Sequence, residues 1–263
     1  MRTMKKTKLS HLPDDIPEAL LKMLAGAPVY DSSSSPDARV YFVDKDGGYY
    51  LKTAARGTLA REAEMTAYFH SKGLSAEVLS YESAERDLLL TRALLGEDLT
   101  HGDYLASPKR LCDTLAETLR DLHERDFSDC PVYRMREYLA LADENYRKGK
   151  FDAALFPEEI GFSTPDEAYA ALMAGRDAFQ NDTLIHGDYC LPNLLFDGWH
   201  FSGFIDLGSG GVGDRHIDLF WGAWTLFYNL KTDAYRDRFF DAYGRDRIDF
   251  DRLKAVAAAE TFG

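Results

Sequence analysis

Residues 183–207 constrain what this chain can fold into more than any other stretch. Asp188 follows an apolar run, Asn193 lies on the turn that comes next, and Asp206 follows a hairpin-like segment. Apolar strands that end in this way direct their polar residues toward one spot. The needs of folding alone do not explain such a combination, so the stretch predicts a functional site.

Each of these residues alone has a simpler interpretation as a turn or helix-capping residue. Together, however, His186, Asp188 and Asn193 give the order H-x-D-x-x-x-x-N, and D-x-G follows at 206–208. This order is a kinase-type catalytic signature. In such a site one Asp orients a hydroxyl and accepts its proton, while an Asn and a second Asp hold Mg²⁺ on nucleotide phosphates. The order assigns the first role to Asp188 and the metal roles to Asn193 and Asp206.

Two segments carry a closer resemblance, HGDYCLPNLLF at 186–196 and FSGFIDLGSGGVGDRHIDLFWG at 201–222. They resemble the aminoglycoside phosphotransferases, in particular the 3′-phosphotransferase (kanamycin kinase) branch. The run GFIDLG and the following GDRxxD are more specific than the general HGD…N…D pattern, which choline, ketosamine and macrolide kinases also contain. The resemblance extends over nearly the whole chain.

The resemblance implies an α+β, two-lobed protein-kinase-like fold. A small N-lobe with an antiparallel sheet and one helix would bind the nucleotide with residues 1–92. A larger, mostly helical C-lobe, residues 93–263, would carry catalysis and substrate binding. Hydrophobic patterns and capping signals predict strands at 28–30, 38–43, 49–53, 75–81 and 87–91, and helices at 14–25, 59–71, 108–123, 134–148, 165–179 and 215–228.

Lys52 is the candidate phosphate-binding cation. A Lys on a strand edge is usually solvated. A kinase, however, requires one Lys on its third strand for the α- and β-phosphates, and a Glu on the next helix to hold it. The resemblance implies Glu62 as that partner, on the same inward helix edge as Phe69. Glu64 is the alternative and would point more toward solvent.

Further nucleotide contacts are expected from two segments. The loop 31–37, with Ser33 and Ser34, stands where a kinase places its glycine-rich flap. Serines can offer hydroxyl and backbone N–H groups to phosphate oxygens, although a Ser-rich segment is also typical of a flexible surface linker. The resemblance places the hinge just after the strand at 87–91, where the backbone of Thr91 and Ala93 would bond the adenine edge.

Acidic residues are the candidate contacts for the acceptor. Segment 151–162 has the position of the acidic substrate-binding loop of the 3′-phosphotransferases, and it contains Asp152, Glu158 and Glu159. Ammonium groups of an amino sugar need carboxylates, and charge-assisted hydrogen bonds to them are strong. The resemblance adds Glu260 in the C-terminal tail. The alternative for each of these residues is an ordinary solvated acidic surface.

Three further residues have structural interpretations. Asp218 resembles the buried Asp that braces the catalytic loop in this superfamily, and His186 is expected to be a scaffold residue. His123 is interpreted as a helix-end residue, because the dipole at a helix C-terminus favours a cation.

The resemblance implies ATP-dependent O-phosphorylation of an aminoglycoside hydroxyl, at the 3′ position, with Mg²⁺ as the metal and antibiotic resistance as the result. One departure keeps an alternative open, since residues 208–213 lack the Arg that kanamycin kinases carry near this motif. The alternatives are a kinase of another small alcohol (a ketosamine, choline or a macrolide) and a non-catalytic nucleotide-binding module. A protein kinase is not favoured, because no Ala-Pro-Glu element follows Asp206.

The composition limits the partners of the chain. A formal net charge of −13 argues against general affinity for nucleic acid or an anionic membrane and is compatible with a polycationic ligand. Three cysteines and seven scattered histidines predict free thiols and no zinc site. The sequence shows no signal-peptide pattern and no run long enough to span a membrane. We expect a cytoplasmic protein that acts as a monomer or weak homodimer.

Overall fold

The computed structural model describes residues 6–13, 16–33, 36–152 and 162–263, and these residues form an α+β structure. The strands are β1 Thr7–Leu9, β2 Val29–Asp31, β3 Ala38–Val43, β4 Tyr49–Ala55, β5 Val78–Ser83, β6 Arg86–Arg92, β7 Glu97–Asp98, β8 Thr183–Ile185, β9 Leu194–Asp197, β10 His200–Phe204 and β11 Gly211–Gly213. The helices are α1 Glu18–Leu24, α2 Ala60–Ser71, α3 Gly102–Leu105, α4 Pro108–His123, α5 Met135–Arg147, α6 Pro165–Gly175, α7 His216–Leu230, α8 Arg236–Tyr243 and α9 Phe250–Glu260.

The chain divides into two compact units. The first comprises Met1–His101 and Pro192–Gly208, and the second comprises Gly102–Leu191 and Ser209–Gly263. The segment Pro192–Gly208, which the sequence analysis assigned to the C-lobe, groups with the N-terminal residues because β9 pairs with both β7 and β10. The division of roles at residue 92 stays a prediction.

The first unit is built on a six-stranded antiparallel sheet of order β1-β2-β3-β4-β6-β5. Alternate residues of β4 are buried, as expected for a strand with side chains on both faces. On one face, α1 closes a core of apolar residues that includes Leu20, Leu24, Val43, Leu51 and Leu90. On the other face, Leu59 and Ala63 beside and within α2 pack against Leu89 of β6. Lys52, which neighbours Leu51, therefore points to the face that α2 covers.

A three-stranded sheet of order β10-β9-β7 completes the first unit. Phe204 at the end of β10 contacts Phe69 of α2 edge to face, with ring centroids 6.0 Å apart. The N–H of Phe204 also donates to the carbonyl of Leu74. These contacts attach the strand that precedes Asp206 to the end of α2.

The second unit contains α3 to α9 and the antiparallel pair β8 and β11. Its core is formed by α5, α7, α9 and β8, through the apolar residues Met135, Ile185, Ile217, Phe220, Val256 and Ala257. This packing buries the strand that leads directly into His186. Within the described part of the chain, none of the helices has the length and apolar character needed to cross a lipid bilayer.

Several predicted boundaries differ from the structure. Helix α1 begins only at Glu18, and α6 ends at Gly175 with a 3₁₀ turn after it instead of continuing to residue 179. The side chain of Ser107 makes no capping bond in the described structure, although α4 begins at the next residue as predicted. Thr164 does accept a capping bond from the N–H of Glu167. Helices α3, α8 and α9 were not predicted.

Gly96, between β6 and β7, gives a testable constraint. Its φ is +88°, and a Cβ at this position would overlap the carbonyl oxygen of Phe196. Gly73 has a similar φ of +72° but faces open space. Left-handed strain of about 1–2 kcal/mol is common to both alanine variants. Only Gly96→Ala also forces a steric overlap with the backbone, so we expect it to lower the free energy of unfolding by at least about 2 kcal/mol more than Gly73→Ala. Urea unfolding measures the difference, and equal losses would show that Gly96 is not tightly packed.

Candidate active site

Lys52 lies between two carboxylates in the first unit. Its Nζ is 2.7 and 2.9 Å from the two carboxylate oxygens of Glu62 and 2.9 Å from Oδ1 of Asp206. Strand β4 carries the lysine, and the first turn of α2 carries Glu62. Asp206 lies two residues after the end of β10. The pairing with Glu62 that the resemblance implies is therefore present in the structure.

The two carboxylates hold Lys52 in different environments. The side chain of Glu62 is 12% exposed and that of Lys52 19%, whereas that of Asp206 is 51% exposed. Burial lowers the pKa of Lys52, but the charges of Asp206 and Glu62 outweigh it and the pKa lies above its ordinary value. Burial raises the pKa of Glu62, against the opposing effect of Lys52. The lysine stays a cation in this site.

Asn193 and Asp206 are brought together by the backbone. The N–H of Ile205 donates to the carbonyl of Asn193 at 3.0 Å, so Asp206 follows directly on this bond. Asp206 adopts a left-handed conformation with φ +60°. Such a conformation is uncommon for a residue with a side chain and often occurs at functional sites.

These two residues fit a magnesium ion by the chemistry of their oxygens. Mg²⁺ takes hard oxygen ligands and is usually bound by one or two protein groups together with waters and substrate phosphates. An amide oxygen and a half-exposed carboxylate supply such a partial set. Among the described residues, no cluster of three or more His, Cys, Asp or Glu could hold a metal. The remaining ligands would have to come from phosphates and water.

The other predicted nucleotide contacts are engaged within the protein. The hydroxyl of Ser33 accepts from the N–H of Val40 at 2.9 Å, and the N–H of Ser33 donates to Asp31 at 2.8 Å. The N–H of Ala93 donates to the carbonyl of Gly48 at 3.0 Å, so an adenine bond through this donor would replace an existing one. Thr91 lies in β6, paired on both sides. Ser34 lies outside the described residues. All four contacts stay predictions.

In the second unit, Asp188 lies on a tight loop after β8. Gly187 has φ +81°, and a Cβ there would overlap the carbonyl oxygen of Ser209. Asp218 accepts the N–H of His186 at 2.8 Å and that of Gly187 at 2.7 Å. The N–H of Asp188 in turn lies 3.3 Å from Nδ1 of His186. Asp218 therefore braces the loop, and His186 is a buried scaffold residue.

His123 is the last residue of α4, as predicted, and it belongs to the same buried network. Its Nε2 lies 3.1 Å from Asp218 and its Nδ1 lies 2.8 Å from the hydroxyl of Tyr243. Burial lowers the pKa of His123, against the opposing effect of Asp218. Burial thus disfavours the cation that a helix C-terminus would favour, and His123 links α4, α7 and α8 through these two contacts.

Glu260 is a buried acid in the second unit. The hydroxyl of Tyr138 donates to its Oε1 at 2.8 Å. Burial raises the pKa of Glu260 to about 8; bonds from Tyr138 and Trp221 oppose the shift, and the charge of Asp188 adds to it. An unliganded Glu260 is therefore mostly neutral at pH 7. A group with this environment is suited to receive a cation, which would restore its charge.

Of the remaining acidic candidates, Asp152 lies among the described residues. The N–H of Asp152 donates to the carbonyl of Thr261 at 2.9 Å, which places the exposed Asp152 next to the C-terminal tail. Glu158 and Glu159 lie outside the described residues. Sequence reasoning missed Tyr138 and Trp221 as partners of Glu260. Trp221 was visible in the aromatic pattern of α7, but nothing local to Tyr138 indicated a partner so distant along the chain.

Comparisons with known proteins identify the family of the chain. The model of the phosphotransferase enzyme family matches residues 32–256. A probable aminoglycoside 3′-phosphotransferase from Lactococcus lactis subsp. lactis (strain IL1403) is 54% identical over 252 residues, which cover 95% of this chain and 96% of the relative.

Solved structures show the same fold. An aminoglycoside-3′-phosphotransferase of type VIII is similar with a TM-score of 0.79 and 25% identity, over 95% of this chain and 98% of that one. Aminoglycoside phosphotransferase APH(3″)-Id from Streptomyces rimosus, in complex with ADP and streptomycin, is similar with a TM-score of 0.70 and 24% identity, over 85% and 90% of the two chains. The predicted α+β, kinase-like fold is thereby confirmed. The chain belongs to the phosphotransferase enzyme family, among relatives of the aminoglycoside 3′-phosphotransferases.

Proposed function

We propose that this phosphotransferase transfers the γ-phosphoryl group of ATP to the 3′-hydroxyl of an aminoglycoside and thereby confers resistance to it. The observation that carries the proposal is the Lys52 ammonium held by Glu62 and Asp206, with Asn193 bonded next to Asp206 through the backbone. A fixed cation beside Asp206, a carboxylate assigned to the metal, is suited to bind the phosphates of a nucleotide. The name of the Lactococcus relative and the ADP and streptomycin bound by the Streptomyces enzyme support the choice of substrates.

Each residue has a defined task in this mechanism. Lys52 binds the α- and β-phosphates, and Glu62 holds its side chain in place. Asn193 and Asp206 would hold Mg²⁺, which when bound neutralises charge on the β- and γ-phosphates. Asp188 orients the acceptor hydroxyl and takes its proton. Catalysis then comes mostly from placement and from electrostatic stabilisation of the transferring group.

The acceptor is an amino sugar in this proposal because the candidate contacts are acids. Glu260, with its raised pKa, would accept a substrate ammonium as a carboxylate. Asp152 is exposed and lies beside the C-terminal tail, where it could receive a second ammonium. Glu158 and Glu159 are assigned the same role from the resemblance alone. A cytoplasmic location and a monomer or weak homodimer remain part of the prediction.

A second candidate is a kinase of another small alcohol, such as a ketosamine, choline or a macrolide. It is favoured by the absence of an Arg from residues 208–213. A coupled ADP-release assay with MgATP separates the two. We expect turnover of kanamycin and neomycin but none of tobramycin, which lacks the 3′-hydroxyl. Turnover of choline, a macrolide or a ketosamine in place of the aminoglycosides would contradict the proposal.

Asp188 provides the sharpest test of the assigned chemistry. Asp188→Ala should reduce turnover by about 10³-fold or more, because no other group is assigned to orient the hydroxyl and take its proton. Binding of MgADP, measured by calorimetry, should change less than about twofold, since Asp188 is not assigned to the nucleotide. Asp182→Ala, an exposed acid in the same segment, is the matched control and should keep full activity. Parallel loss of turnover and MgADP binding would mean that the role of Asp188 is misassigned.

The pKa of Glu260, about 8, predicts a proton release on substrate binding. At pH 7 the free carboxyl is mostly protonated, and an ammonium beside it favours the carboxylate, so a proton must leave. Kanamycin binding should release up to about one more proton from the wild type than from Glu260→Gln. Protonation of the ligand's own amines is common to both proteins and cancels in the difference.

Titration calorimetry in buffers of different ionisation enthalpy measures this difference. The excess should be lost above about pH 9, where Glu260 is already ionised in the free enzyme. Equal proton counts for the two proteins at pH 7 would show that Glu260 does not receive the ammonium.

A further inference from the structure

Asp87 is a fully buried carboxylate that the proposed mechanism does not use. It lies near the start of β6, paired in register with Ala54 of β4 and Ser83 of β5. Its Oδ1 accepts the N–H of Gly57 at 2.9 Å, and its Oδ2 accepts the N–H of Leu59 at 2.8 Å. A carboxylate at the interior of the sheet thus holds the loop that leads into α2.

The carboxylate is ionised and well satisfied. The hydroxyl of Tyr81 donates to its Oδ2 at 3.1 Å. Burial alone would raise the pKa of Asp87, but bonds from Ser83, Gly57, Leu59 and Tyr81 outweigh it and hold the pKa below its usual range. Hydrogen bonds to an ionised acceptor are stronger than those between neutral groups.

Asp87 holds the start of α2 from outside the helix, by accepting the N–H of its N-cap residue, Leu59. The N-cap position is Leu59, whose apolar side chain cannot accept a hydrogen bond. Ser, Thr, Asp or Asn would normally fill this position. Leu59 instead packs against Leu89, the second neighbour of Asp87 along β6. The start of α2 is therefore fixed to β6 by a polar contact and an apolar one.

The first turn of α2 also carries Glu62, three residues after Leu59. The terminal turn of a helix opens more readily than its middle, so its position depends on its cap. Both oxygens of Glu62 lie within 2.9 Å of Lys52. A displacement of Leu59 would move Glu62 directly and leave Lys52 with Asp206 as its remaining described carboxylate partner.

We infer that Asp87 is a positioning residue for nucleotide binding: by fixing Gly57 and Leu59 it places Glu62, and through Glu62 it presents Lys52 to the phosphates. This inference rests on the proposed role of Lys52 and Glu62. Asp87 itself touches neither the nucleotide nor the acceptor, and its effect is confined to the first unit.

The variant Asp87→Asn tests this directly. Asn preserves the size and one acceptor, but its amide group would face a donor, either the N–H of Leu59 or that of Gly57. We expect MgADP to bind about tenfold more weakly, and the KM for MgATP to rise to match, as for loss of a charge-assisted contact. The KM for the acceptor should stay within about twofold, because the described acids assigned to it belong to the other unit.

Two controls separate positioning from general stability. Leu24→Ala removes a buried side chain from the core of the same unit, away from the α2 loop, and should lower the melting temperature without weakening MgADP binding. Tyr81→Phe removes one bond to Asp87 but keeps both backbone bonds, and should leave MgADP binding within about twofold of wild type. Equal weakening in Leu24→Ala and Asp87→Asn would overturn the inference.

A double-mutant cycle with Glu62→Gln tests the route of the effect. If Asp87 acts through Glu62, the double variant should bind MgADP less than about twofold more weakly than Glu62→Gln alone. Independent, multiplying effects would overturn the inference. Hydrogen exchange at the amides of residues 57–62 should also be faster in Asp87→Asn, and unchanged exchange there would contradict the proposed displacement.

Lys52→Met keeps this test distinct from the test of the proposed function. If Lys52→Met binds MgADP as well as the wild type does, the assigned role of Lys52 fails and the inference fails with it. If Lys52→Met weakens MgADP binding and Asp87→Asn does not, the role of Lys52 stands and only the inference about Asp87 is overturned.

Discussion

The ion pair between Lys52 and Glu62 is the interaction on which the candidate nucleotide site depends. Both oxygens of Glu62 contact the ammonium, and both side chains are mostly buried. Removing one partner of a buried pair typically costs about 3–5 kcal/mol, whereas an exposed pair contributes about 0–1 kcal/mol. Asp206 is half exposed, so its contact with Lys52 lies nearer the second case. Glu62 therefore contributes more than Asp206 to holding the lysine, and Asp206 is the carboxylate that we propose as a metal ligand.

The acidic residues of both units fall into two groups, those that fix backbone loops and those assigned to the proposed chemistry. Asp87 and Asp218 are fully buried, and each accepts two backbone N–H groups, so their side chains fix loops. Asp188 and Asp206 are more exposed; Asp188 follows the loop that Asp218 fixes, and Asp206 lies two residues after β10. The proposed chemistry is assigned to the exposed pair, because a carboxylate already satisfied by backbone donors has little capacity left for a substrate or metal. Glu260 is the exception, a buried acid whose raised pKa makes it dependent on an incoming cation.

The sequence predicts sites whose residues lie close together along the chain, and it does not predict contacts between distant residues. The residues around Asp188, Asn193 and Asp206 lie within one short segment, so their order alone indicated a site. The family resemblance indicated Glu62 over Glu64, and helix periodicity agreed by placing Glu62 on the inward edge of α2. The partners of Glu260 and His123 lie far away, at 122 residues for Tyr138 and at 95 and 120 residues for Asp218 and Tyr243. No local pattern encodes such contacts, and the bonds from Asp87 to the loop before α2 were missed for the same reason.

The position of the phosphate on the product tests the central claim most directly. Kanamycin incubated with the enzyme and MgATP can be examined by phosphorus and proton NMR, in which a phosphate ester couples to the proton on the carbon that bears it. The account predicts a single phosphorylated product with coupling to H-3′. A phosphate on another carbon would contradict the 3′ assignment, and the absence of any phosphorylated kanamycin would contradict the assignment of an aminoglycoside as the acceptor.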